Sequence, residues 1–114
     1  MKIKNLETAL ALFEEAAIKH VEATEQGDYK TGNKNYKNIA KVIDYLKLNN
    51  QLLSLKQFLN HSSVGVRMWS ATYLLPLVEN ESLKVLNEIS NIPGIHSLTA
   101  KTTISEWQKG NLKL

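Results

Sequence analysis

The chain has three histidines, and their spacing does not suit a shared metal ion. No two of His20, His61 and His96 stand three or four residues apart, as a metal site on one helix requires. The 114 residues include no cysteine, which removes thiolate ligands, disulfides and a cysteine nucleophile. His20 lies beside an apolar stripe, where a partly buried, hydrogen-bonded imidazole is the ordinary reading. His61-Ser62-Ser63 puts an imidazole next to two hydroxyls. Neighbours in sequence do not make triad geometry, however, and there is no G-x-S-x-G elbow or strand to present a nucleophile. Helix capping accounts for both serines. Glu22 and Glu25 are one turn apart with Asp28 just beyond. Such carboxylates do acid–base work only where burial raises one pKa, and a solvated helix end is expected here. No glycine-rich phosphate loop is present. These patterns point away from an enzyme and call for no cofactor and no metal.

The remaining candidate is electrostatic. The formal charge is +3, too small by itself to argue for nucleic acid, but it is unevenly spread. Residues 1–28 carry six acids against three bases, and residues 29–56 carry six lysines against one acid, Asp44. Lys30, Lys34, Lys37 and Lys41 step by four, three and four, which puts them in one row on a helix. That row could meet phosphates or an acidic protein surface. It could equally be the solvated side of an amphipathic helix, paired with Glu14, Glu15 or Glu22.

The elements that position these residues follow from apolar spacing. Leu6, Leu10, Phe13, Ala17 and Val21 predict a first helix over 5–26, capped by Asn5 and closed by Gly27. Asp28 caps a second, with Tyr36, Ile39, Ala40, Ile43 and Leu46 as its apolar face and Asn49-Asn50 as its end. Gly32 near its start suggests fraying. Leu52, Leu55, Phe58 and Leu59 give a short third helix over 51–59. A fourth begins at a Ser62 or Ser63 cap, carries Val66, Trp69, Ser70, Tyr73 and Leu74, and ends or kinks at Leu75, before Pro76. Leu83, Leu86 and Ile89 make a fifth with Asn80 as cap, and the sixth runs from Ile95 to Gln108 with Gly110 as its stop. Period-two alternation is absent. No apolar run approaches the ~18 residues a membrane helix needs, and the amphipathic start, with Glu7, Glu14 and Glu15, is unlike a signal peptide.

The stretch Ser63–Leu75 recurs in weaker form after Gly94. At an offset of 29, Gly65 meets Gly94, Val66 meets Ile95, Arg67 meets His96, Ser70 meets Thr99, Ala71 meets Ala100 and Leu75 meets Ile104. Leu52, Leu55 and Phe58 likewise recur as Leu83, Leu86 and Ile89 at an offset of 31. Periods of roughly 20–50 residues mark a repeat array. Three antiparallel hairpins, each with a bare apolar face, are expected to stack into a right-handed α-superhelix forming a single domain.

Val66, Arg67, Ser70, Ala71 and Leu74 fill the pattern of the second helix of a bacterial HEAT repeat, which this stretch resembles. Ser63 stands where that family has a capping aspartate. The second copy departs from the pattern, with His96 for the arginine and Thr103 for the leucine. The layout also resembles a family of small bacterial HEAT-like proteins of unknown function, through Gly27-Asp28, Val42 to Leu46, and Glu106-Trp107 with Gly110. That resemblance implies an immunity protein acting against a toxin, and it assigns no catalytic residue. Arg67 in such a repeat supports the turn or the neighbouring repeat.

The sequence therefore predicts an all-α, HEAT-like, cytoplasmic protein that binds another protein without catalysis. Lys34, Lys37, Lys41, Arg67 and Trp107 are its candidate contact residues. The alternative is a nucleic-acid-binding protein using the lysine row of the second helix together with Arg67. No membrane partner is expected.

Overall fold

A computed structural model describes residues 2–114 and, among them, shows helices and no strand. The elements are α1 (Leu6–Gln26), α2 (Tyr29–Leu48), a 3-10 helix (Leu52–Phe58), α3 (Val64–Leu74), α4 (Glu79–Ser90) and α5 (Ile95–Gln108). They form two compact units, one ending at Leu55 and the other running from Lys56 to Leu114.

In the first unit α1 and α2 make an antiparallel hairpin closed by a tight turn. The Asn5 side chain accepts the Thr8 N–H at 2.8 Å, satisfying one of the orphan donors at the start of α1. Gly27 ends α1 at φ 72, a left-handed conformation that costs glycine nothing. Asp28 caps α2 at once, accepting both the N–H of Thr31 at 3.1 Å and its hydroxyl at 2.7 Å. Phe13, Ala9, Ala16 and Ala17 of α1 are buried, as are Ile39, Val42, Ile43 and Leu46 of α2. Each large side chain so buried contributes about 1.5–3 kcal/mol. α2 is rotated from the orientation expected from sequence. Val42 and Asn35 join its buried face, Tyr36 is exposed and Ala40 is half-buried. Gly32 is not a frayed position. It is buried in regular helix, where an added Cβ would stand 3.9 Å from the Ala23 Cβ, in ordinary contact, so an alanine would fit there. Asn50, at φ 55, turns the chain out of α2.

In the second unit the close helix pairs are α3 with α4 and α4 with α5. The expected third α-helix is a 3-10 helix, and the hairpin predicted between it and α3 is not among the close pairs. Leu52, Leu55 and Phe58 step by three, a spacing that a 3-10 helix keeps on one face. Ser63 caps α3 with a long 3.5 Å contact to the Val66 N–H. Val66, Met68, Ala71 and Leu74 of α3 are buried, while Trp69 and Tyr73 lie half-exposed and stacked on each other, with ring centroids 6.0 Å apart. The expected apolar face is thus turned, with Met68 inside in place of the two aromatics. Asn80 does not cap α4. The helix begins at Glu79 after Val78, and Asn80 lies inside it without a capping bond. Gly110, at φ 77, follows α5 as expected.

Candidate functional site

The lysine row is the predicted site that the structure presents most openly. Lys30, Lys34, Lys37 and Lys41 are all exposed on α2. The buried positions Gly32, Asn35, Ile39, Val42, Ile43 and Leu46 occupy the opposite side of the same helix. At about 100° per residue the row points away from the hairpin's core. The predicted pairing with α1 takes another form for Glu15, whose Oε1 receives the Lys19 ammonium at 2.7 Å within α1. The bond and charge of Lys19 hold the Glu15 carboxyl below the usual carboxylate range.

Beside the lysines runs a second row that the sequence pattern disguised. Tyr29, Asn33, Tyr36 and Ala40 repeat the four-three-four spacing one residue earlier. Tyr29 is 83% exposed and Tyr36 47%, although tyrosine rings are usually mostly covered. Tyr36 sits where period counting puts an apolar core position, so only the observed rotation of α2 reveals it. Two exposed aromatic rings next to four cations make a face able to contribute both apolar contact and charge.

The other side of the lysine row borders a cleft of about 340 Å³ between α1 and α2. Leu12 and Ala16 supply apolar lining. Glu15 and Lys19 line it from α1, and Thr31, Lys34, Asn35 and Asn38 from α2. Lys34 therefore belongs both to the row and to the cleft. Asn35 is buried there and donates Nδ2–H to the Thr31 carbonyl at 2.9 Å.

Two predicted contact residues have structural engagements in the second unit. Arg67 donates from Nη1 to the carbonyls of His61 at 2.7 Å and Ser62 at 3.1 Å, bracing the turn before α3. In the same turn His61 Nδ1 accepts the Ser63 N–H at 2.9 Å. The histidine and serines thus form a capped turn, as read from the sequence. Trp107 donates from Nε1 to Glu79 Oε2 at 2.6 Å, tying α5 to the first residue of α4. That carboxylate also suits the partial positive charge of a helix N-terminus. Lys34, Lys37 and Lys41 share one face, whereas Arg67 and Trp107 belong to the other unit. Among the described residues no group of three or more His, Asp or Glu could hold a metal ion, and no helix is long and apolar enough to cross a membrane.

No family model matches the sequence, and no curated protein matches it. A solved structure does resemble it. The crystal structure of the protein RPA1889 from Rhodopseudomonas palustris CGA009 matches with a TM-score of 0.88 at 18% identity, over 99% of each chain. At that identity the likeness shows the fold alone.

Proposed function

We propose that this protein is a non-enzymatic binding module whose partner is a protein with an acidic surface, docked on the outward face of α2. One observation carries this reading. Lys30, Lys34, Lys37 and Lys41 stand in an exposed row alongside exposed Tyr29 and Tyr36, on the side of α2 turned from its core. Tyrosine is enriched in interface hot spots, and a cation row steers an acidic partner and fixes its register. The resemblance to HEAT-like immunity proteins supports a toxin as that partner, a superhelical stacking of the hairpins and a cytoplasmic setting. Within this reading Arg67 and Trp107 hold the scaffold, and the contact surface is the α2 face.

The same face favours a second reading, since cations with stackable rings also suit single-stranded nucleic acid. Arg67 does not extend that cation row, because its guanidinium braces its own turn. Tagged protein captured from its native cells at moderate salt, with and without nuclease, separates the two. A stoichiometric protein that survives nuclease is the expected result. Recovery of nucleic acid that is lost on digestion, with no protein retained, overturns the first reading in favour of the second.

A further inference from the structure

The turn between the 3-10 helix and α3 uses an imidazole in a role that only its neutral form can fill. His61 Nδ1 accepts the Ser63 N–H at 2.9 Å. An accepting nitrogen must keep its lone pair, so the ring proton of the neutral form sits on Nε2. The bond reaches two residues along the chain, as an asparagine oxygen does in an Asx turn. The residue is held on several sides. Its ring meets Phe58 edge-on, with centroids 6.0 Å apart and planes at 69°. Its backbone N–H donates to the Phe58 carbonyl at 3.1 Å, and its own carbonyl accepts Arg67 Nη1 at 2.7 Å.

We propose that His61 is a pH-sensitive latch, which locks this turn and the start of α3 when neutral and releases them when protonated. A proton on Nδ1 sets donor against donor at the Ser63 N–H, so the bond is lost and the ring must turn away. It also adds a positive charge to a residue whose carbonyl already holds a guanidinium. The charged side chains of the two elements that these bonds join are Lys56 on the 3-10 helix and Arg67 on α3, both cations. Neither element therefore supplies a carboxylate to favour the imidazolium. Lys56 is itself paired with Glu81 of α4 at 3.4 Å. The residue released, Ser63, is the N-cap of α3. Its hydroxyl meets the Val66 N–H at a long 3.5 Å, and its carbonyl accepts the Arg67 N–H at 3.1 Å. With so long a cap contact, the His61 bond is a large share of what fixes Ser63 in place. The latch lies in the second unit, so it stands apart from the docking face proposed on α2.

Nuclear magnetic resonance between about pH 8 and about pH 5, the range in which histidines change charge, tests the proposal. Nitrogen shifts of the His61 ring report its tautomer, and exchange of the Ser63 amide, measured against an unstructured peptide at the same pH, reports the bond. At the upper pH the ring is expected to carry its proton on Nε2 alone. As imidazolium forms, Ser63 protection should fall about five-fold or more, the worth of one ordinary hydrogen bond. His61→Asn offers the same N–H an oxygen that does not titrate, so Ser63 should stay protected at both ends of the range. His61→Ala should leave it equally unprotected at both. A proton on Nδ1 at the upper pH, or wild-type protection that does not change with pH, would overturn the latch. So would an equal fall in His61→Asn, because the acid would then act through another group.

Discussion

Arg67 shows how one side chain can suggest recognition and be occupied by architecture. An arginine on a basic chain invites a phosphate or carboxylate, yet its Nη1 is directed at two backbone carbonyls of the preceding turn. A guanidinium bound in this way ties the turn to the start of α3, and bonds to charged groups contribute about 1.5–3 kcal/mol. Arg67→Ala is therefore expected to lower stability by about 1–3 kcal/mol in a denaturant titration and to leave partner capture unchanged once folded protein is used. Trp107 is a parallel case, with its indole N–H on Glu79. Both residues were legible as important from their types and positions. Their partners were not, because the bonds join a side chain to loop carbonyls or to an acid 28 residues away, and spacing along one helix carries neither.

At the scale of the element, capping and helix ends were the most legible features, since each depends on a residue and its immediate neighbours. Asn5, Gly27, Asp28, Asn50 and Gly110 behave as their types dictate. Asn80 fails as a cap because α4 starts one residue earlier than its nearest capping residue, with Val78 in the cap position. The facing of α2 and α3 was less legible. Tyr36 and Trp69 are apolar enough to count toward a core stripe, but Val42 and Met68 fill the core instead and leave the rings outside or half outside. The run Leu52–Phe58 is periodic in a way that suits both α and 3-10 geometry when only seven residues are counted.

The cap of α2 also yields a pH dependence. Hydrogen bonds from the Thr31 hydroxyl, and then from its backbone N–H, hold the Asp28 carboxyl below its ordinary value. A carboxylate lowered in the folded state binds its proton less readily than in the unfolded chain. Its contribution is therefore fully present above the unfolded value and is lost as pH falls through the folded one. Acidification below the ordinary carboxylate range should fray the first turn of α2, seen as faster amide exchange at Thr31 and Gly32. Asp28→Asn keeps an acceptor and should remove that dependence.

For the whole molecule, the sequence points to an all-helical chain, and the structure is one, with the fold shared by a protein of only 18% identity. That pairing is physically reasonable. Buried small and apolar positions such as Ala71, Ala100, Leu86 and Ile89 set the packing, while the surface is free to change. In the proposed reading, function lies in that surface. The lysine row could be read from spacing, because four charges at helical intervals need no tertiary information. The tyrosine row beside it and the cleft behind it required the actual rotation of α2 and the approach of α1.

The measurement that tests the central claim most directly is the affinity of the captured protein partner for wild type and for Lys37→Glu with Tyr36→Ala, compared by titration calorimetry. Exposed positions should leave both proteins equally helical and equally stable. The account predicts a loss of about ten-fold or more, as expected when a hot-spot ring and its neighbouring charge are removed together. Equal affinity for the two would contradict it and would place the docking surface elsewhere on the chain.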